Sequence, residues 1–136
     1  MDRAHRERFD ALLGDAIGAL PPRFRRVIDE VPVIVLDRAD RTLLQQLRRD
    51  DVLPDGEDDL MGLHSGVAIT ERSHADTGDL PAQIHVFRDG IVEHAGGWSQ
   101  EHADQEVYEE IRVTLLHEIG HHFGLDEDDL EQLGYG

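Results

Sequence analysis

Residues 101–127 read EHADQEVYEEIRVTLLHEIGHHFGLDE. Apolar residues recur here at helical spacing, and Gly124 supplies the left-handed residue that commonly follows a helix end. The stretch predicts one long helix from Glu101 to Phe123. With His117 set at 0° and about 100° per residue, Glu110, His121, Thr114 and Glu118 fall at about 20°, 40°, 60° and 100°. Ile111, Leu115, Tyr108, Ile119, Phe123 and Leu116 fall between about 120° and 260°. The helix therefore has a dry side for a core and a polar side carrying two imidazoles one turn apart. His122, at about 140°, belongs to the dry side and is expected to be a partly buried, hydrogen-bonded structural histidine that points away from the pair.

The spacing H-E-x-x-H at residues 117–121 has a chemical reason. Zinc takes neutral imidazole nitrogens at about 2.0–2.1 Å, and one rigid helix can supply two of them. A catalytic site adds a third protein ligand and keeps one position open for water, whose pKa the ion lowers. Glu118 is then the candidate general base and acid, taking the proton of the attacking water and giving it to the leaving amine. The third ligand must come from the chain that turns back after Gly124. Glu127 is the leading candidate, with Asp126 and Asp128 as alternatives. The competing reading is that Glu127 only serves the N-terminus of the next helix, where carboxylates are favoured.

Working outward, Phe9, Leu12, Leu13, Ala16, Ile17 and Leu20 describe one face of a helix over residues 3–19. Pro21 and Pro22 stop it and open a second short helix, RFRRVIDEV. VPVIVLD (31–37) reads as a buried strand. Residues 40–50 suit a short helix, and 38–59 a flexible loop or insertion rich in Pro, Gly and charge. SGVAITE (65–71) and AQIHVFR (82–88) read as strands, the second followed by a turn at Asp89-Gly90. That second strand is either an edge open to an extended peptide or an interior strand. EDDLEQLG forms a last short helix. Helices, then strands, then helices argue an α+β fold in a single domain spanning residues 1–136.

Composition narrows the function classes. Thirty Asp and Glu against 13 Lys and Arg give a net charge of −17, which repels nucleic-acid phosphates and anionic lipid headgroups. Neither partner is expected; the acidity either only keeps the protein soluble or suits a basic peptide or protein. The absence of Cys removes disulfides, thiolate metal sites and cysteine nucleophiles. The charged N-terminal segment does not read as a signal peptide, and no run of about 20 apolar residues occurs. The expected location is cytoplasmic.

LLHEIGHHFGLDEDDLEQLGY resembles the C-terminal signature of the small bacterial zincin-like metallopeptidase family. ALPPRFRRVIDEVPVIVLD, LMGLHSGVAITERS and LPAQIHVFRDGIV resemble further blocks of that family in the same order. The resemblance covers nearly the whole chain apart from 38–59. It implies a minimal zincin-like core, a single zinc ion and peptidase activity. His117, Glu118, His121 and Gly124 match the family pattern H-E-x-x-H-x-x-G-x-x-D; its final Asp falls on Glu127, and His64 stands where Tyr is common. The only methionines, Met1 and Met61, leave no Met-turn and argue against a full metzincin.

The expectation is a zinc-dependent peptidase in which His117, His121 and Glu127 bind one Zn2+ and Glu118 carries the proton. The substrate would be a peptide or protein. The rival is a catalytically inactive zincin-like module that binds a protein partner. Tyr135 is expected to pack, with an oxyanion-donor role as the alternative. Trp98 is expected to anchor the start of the long helix.

Overall fold

Asp2 opens the chain's first helix by accepting a hydrogen bond from the His5 backbone N–H at 2.8 Å, a side-chain cap that satisfies one otherwise orphaned donor. The computed structural model describes residues 1–39, 42, 62–65, 83–125 and 127–132. Helix α1 (Arg3–Gly18) buries Phe9, Leu13 and Ala16, which lie four and three residues apart on one face. Helix α2 (Pro22–Glu30) starts with proline in its first turn and buries Val27. Strands β1 (Val33–Leu36), β2 (Gly62–Ser65) and β3 (Gln83–Phe87) form one sheet in the order β1-β3-β2. β1 runs parallel to β3, with Val33 beside Ile84; β2 runs antiparallel to β3, with Gly62 beside Val86. Helix α3 (Arg88–Ala95) follows β3 directly. Helix α4 (Ala103–His122) and helix α5 (Glu127–Gln132) complete the order.

The architecture is α+β, as expected. β3 buries Ile84 and Val86, which point to the same side of the sheet and join one core with Phe9, Leu13, Val107, Ile111, Leu115 and Ile119. α4 runs through this core and touches α1, α2, α3, β2 and β3. A helix surrounded in this way cannot drift relative to the sheet, and it is the helix that carries His117 and His121. Among the described residues, no helix is long and apolar enough to cross a membrane.

Charge pins the end of β1 to the neighbouring helices. Asp37, just past β1, accepts from Arg6 of α1 and from Arg88 at the start of α3, and Arg88 also forms a two-pronged pair with Asp10 at 3.0 Å on each arm. The hydrogen bond from Arg6, helped by Arg88, lowers the Asp37 carboxyl from its ordinary 3.8 to about 2 against the opposing effect of partial burial.

Two local readings change, and a third falls mostly outside the described residues. Asp89-Gly90 is not a turn: it lies in the first turn of α3, where Asp89 suits the positive end of the helix and pairs with Arg38 at 2.8 Å. α3 ends instead at Gly96, with φ +107°. β1 is half-buried rather than buried, and Leu36 is 38% exposed, because β1 lies at one side of the described sheet. The strand expected at 65–71 is described at Gly62–Ser65; residues 66–71 lie outside the described residues, as do residues 40–61 except Thr42. β3 is the central described strand, so AQIHVFR is not a peptide-accepting edge.

Candidate metal centre

α4 ends because Gly124 takes a φ of +82°, a conformation that glycine adopts without a Cβ penalty. The Leu125 N–H donates to the Gly120 carbonyl at 3.0 Å and the Gly124 N–H to the His121 carbonyl at 2.9 Å. These two bonds make a Schellman turn, which reverses the chain. The reversal brings the Leu125 carbonyl to 3.0 Å from Nδ1 of His121. A carbonyl oxygen can only accept, so Nδ1 of His121 donates, and in the neutral ring Nε2 presents its lone pair.

That lone pair meets the other histidine. Nε2 of His121 lies 3.1 Å from Nε2 of His117, with the rings edge-to-face at 83°. Two nitrogens at about 2.0–2.1 Å from one tetrahedral ion would lie about 3.3 Å apart. The pair thus has nearly the spacing of two ligands of one zinc ion. The backbone carbonyl behind His121 is the kind of partner that fixes a metal-binding imidazole's tautomer and direction. The site also lies in the last turns of α4, where the negative end of the helix dipole favours a cation.

Glu118 is 7% exposed and Thr114 5%. Both are covered by β2: a Cβ added to Gly62 would lie 2.7 Å from Thr114 Cγ2 and 3.1 Å from Glu118 Cγ. The helical wheel places Glu118 on a polar arc, and the sheet turns part of that arc into a buried seam. Glu110, two turns before His117 on the same arc, lies 3.6 Å from His94 of α3. His122 is on the dry side, as expected, but fully rather than partly buried, at 1% exposure with its ring beside Phe123.

The third ligand is placed only in part. Glu127 is the first residue of α5, and Asp128, the second, is exposed. The side chain of Glu127, the whole of Asp126, the side chain of His64 and Tyr135 lie outside the described residues. Among the described residues no group of three His, Asp or Glu side chains converges on one metal position. Trp98 is held from α1: His5 stacks on it at 5.5 Å, and the Arg8 guanidinium sits 4.4 Å from its ring centroid. Arg8 also pairs with Asp104 in the first turn of α4, so Trp98 anchors that end through α1.

Sequence reasoning missed two parts of the site. The Leu125 carbonyl is a backbone group with no residue signature, although Gly124 signals the turn that delivers it. Gly62 lies before the strand expected at 65–71; a glycine within a strand often marks a close backbone approach, and only the longer strand would have given that signal. No curated protein matches the chain. The profile of one family, described as zincin-like metallopeptidase, matches residues 28–136, a span that runs from α2 through the histidine pair of α4 to the last residue. With more than half of the sequence matched, the chain belongs to the zincin-like metallopeptidase family.

Proposed function

We propose that this protein is a zinc-dependent peptidase in which His117 and His121 hold one zinc ion, Glu127 completes the protein ligands and Glu118 moves the proton. The observation that carries the reading is the facing pair of Nε2 atoms at 3.1 Å, with His121 oriented from behind by the Leu125 carbonyl. With Nε2 of His121 an acceptor, the contact is favourable when Nε2 of His117 donates a proton to it or when both nitrogens share a cation. When bound, zinc acidifies water and polarises a carbonyl. The chain's own groups do the rest.

Glu118 is a carboxylate whose stem is buried beside the histidines, on a rigid helix. It takes a proton from the attacking water and passes it to the amine that leaves as the peptide bond breaks. Burial of its stem limits the directions its carboxylate can take, which favours proton transfer over solvation by bulk water. His121 is kept in one tautomer by Leu125. Glu127, the first residue of α5, is the ligand expected from the chain that follows Gly124.

The test is cleavage of an unstructured protein such as casein by zinc-loaded wild type and Glu118→Gln, with zinc content measured in parallel. The reading expects cleavage by wild type and a loss of about 10²–10⁴-fold in Glu118→Gln at unchanged zinc content. Equal rates in the two proteins would refute Glu118 as proton carrier. A zinc-loaded wild type that cleaves no peptide in a broad library would favour a binding module.

A further inference from the structure

Gly62 stands in β2 opposite Val86 of β3. Directly opposed residues of an antiparallel pair project to the same side of the sheet, and Val86 lies in the core with α4. A side chain at residue 62 would therefore point at α4. There is no room for one: an added Cβ would meet Thr114 Cγ2 at 2.7 Å, Glu118 Cγ at 3.1 Å and the His85 carbonyl oxygen at 3.2 Å. The glycine is not there for its backbone conformation, since the described glycines with positive φ are Gly96, Gly97 and Gly124. Space is what requires it. Thr114 and Glu118 are one turn apart on α4, so the two side chains that fill the place of the missing one belong to the same ridge.

We propose that Gly62 is a positioning residue for Glu118: the bare backbone of β2 presses on the Glu118 stem and fixes the direction in which its carboxylate leaves the helix. The inference rests on the reading of Glu118 as the proton carrier. A glutamate on an open helix face samples several staggered arrangements. Here the strand comes so close that an added Cβ would lie 3.1 Å from its Cγ, which removes some of them before substrate arrives, the kind of support that holds a catalytic group in its productive geometry. His117 and His121 lie about 100° and 60° around the helix from Glu118, and neither is among the nearest atoms that the added Cβ meets. A methyl group at residue 62 should displace both Thr114 and Glu118 and leave the imidazole pair in place.

The experiment is a double-mutant cycle over Gly62→Ala and Glu118→Gln. It reads the affinity of the zinc-loaded proteins for acetohydroxamate by calorimetry, with zinc content and melting temperature measured on each variant. Hydroxamates chelate zinc through two oxygens and hydrogen-bond to a neighbouring carboxylate, so their affinity reports the placement of Glu118 without turnover. The expected result is about one zinc per chain throughout and about tenfold weaker hydroxamate binding for Glu118→Gln. Gly62→Ala should weaken binding about threefold or more, with little further loss when the two are combined, the non-additivity of residues that act together. If Gly62→Ala is too unstable to purify, Gly62→Ala/Thr114→Ser removes the methyl at 2.7 Å and leaves the Glu118 contact; the cycle is then run in the Thr114→Ser background with the same criterion. Additive losses, or no loss from Gly62→Ala, in zinc-loaded proteins overturn the assignment of Gly62 alone. A wild type that takes up no zinc overturns the peptidase reading and this inference together.

Discussion

Replacing Gly124 with alanine should weaken both the fold and the metal site, through one geometric cause. Gly124 sits at φ +82°, and its N–H and that of Leu125 make the two bonds that close α4. An L residue in this left-handed region costs about 1–2 kcal/mol. For a chain of this size that lowers the melting temperature by about 3–8 °C. If the backbone escapes the strain by opening the turn, it gives up the Leu125-to-Gly120 bond and moves the Leu125 carbonyl away from His121. Loss of such a partner behind a metal-binding imidazole typically costs about 10–100-fold in affinity. Gly124→Asn is the control, because asparagine tolerates the left-handed region better than alanine. Thermal melts of the metal-free proteins and competition with a chelator for zinc measure the two effects separately. The expected order is Gly124, then Asn, then Ala in both assays. A Gly124→Ala variant as stable as wild type would refute the backbone argument. One that is destabilised but binds zinc with unchanged affinity would refute the link from the turn to His121.

Other predictions follow from the same structure. Asp37 has a folded-state pKa of about 2 against 3.8 ordinarily, so its contribution is present above about pH 4 and is lost as pH falls toward 2. The lowering from 3.8 to about 2 sets a ceiling of about 2 kcal/mol, and solvent screening at the half-exposed Arg6 brings the expected value to about 1 kcal/mol. Urea titrations of wild type and Asp37→Asn should differ by that amount at pH 7 and converge near pH 2; a gap that widens on acidification would contradict the assignment. Phe9→Ala removes a fully buried ring between α1 and the core and should cost about 3–5 kcal/mol in urea unfolding; a loss under 1 kcal/mol would mean that α1 is not integral to the fold. Arg8→Ala should cost about 1 kcal/mol through its contact with Trp98, followed by the fluorescence of the single tryptophan; an unchanged midpoint would show that contact to be neutral.

α4 and the reversal at Gly124 were legible in the sequence because they depend on local chemistry: helical spacing, one left-handed residue and a dry side that needed only a partner. The direction of His122 followed from the same wheel. The wheel misjudged the setting of Glu118, since periodicity describes a helix alone and β2 comes from residues more than fifty positions away. Asp89-Gly90 misled for a related reason. As a dipeptide it suits a turn, but Ile91 and Val92 are buried in the core, and Asp89 pairs with Arg38, which follows the neighbouring strand β1. Burial and long-range charge overrode the turn preference. β2 shows the same limit: a glycine lowers strand propensity, whereas at residue 62 the packing against α4 leaves room for nothing larger.

The most direct test of the central claim is the zinc content, by mass spectrometry, of wild type, His121→Ala and Glu127→Ala, each purified without added zinc or chelator. About one zinc per wild-type chain is expected, lost in His121→Ala and lost or greatly reduced in Glu127→Ala, as a site of three protein ligands requires. Wild type that carries no zinc and fails to bind it when supplied would contradict the account.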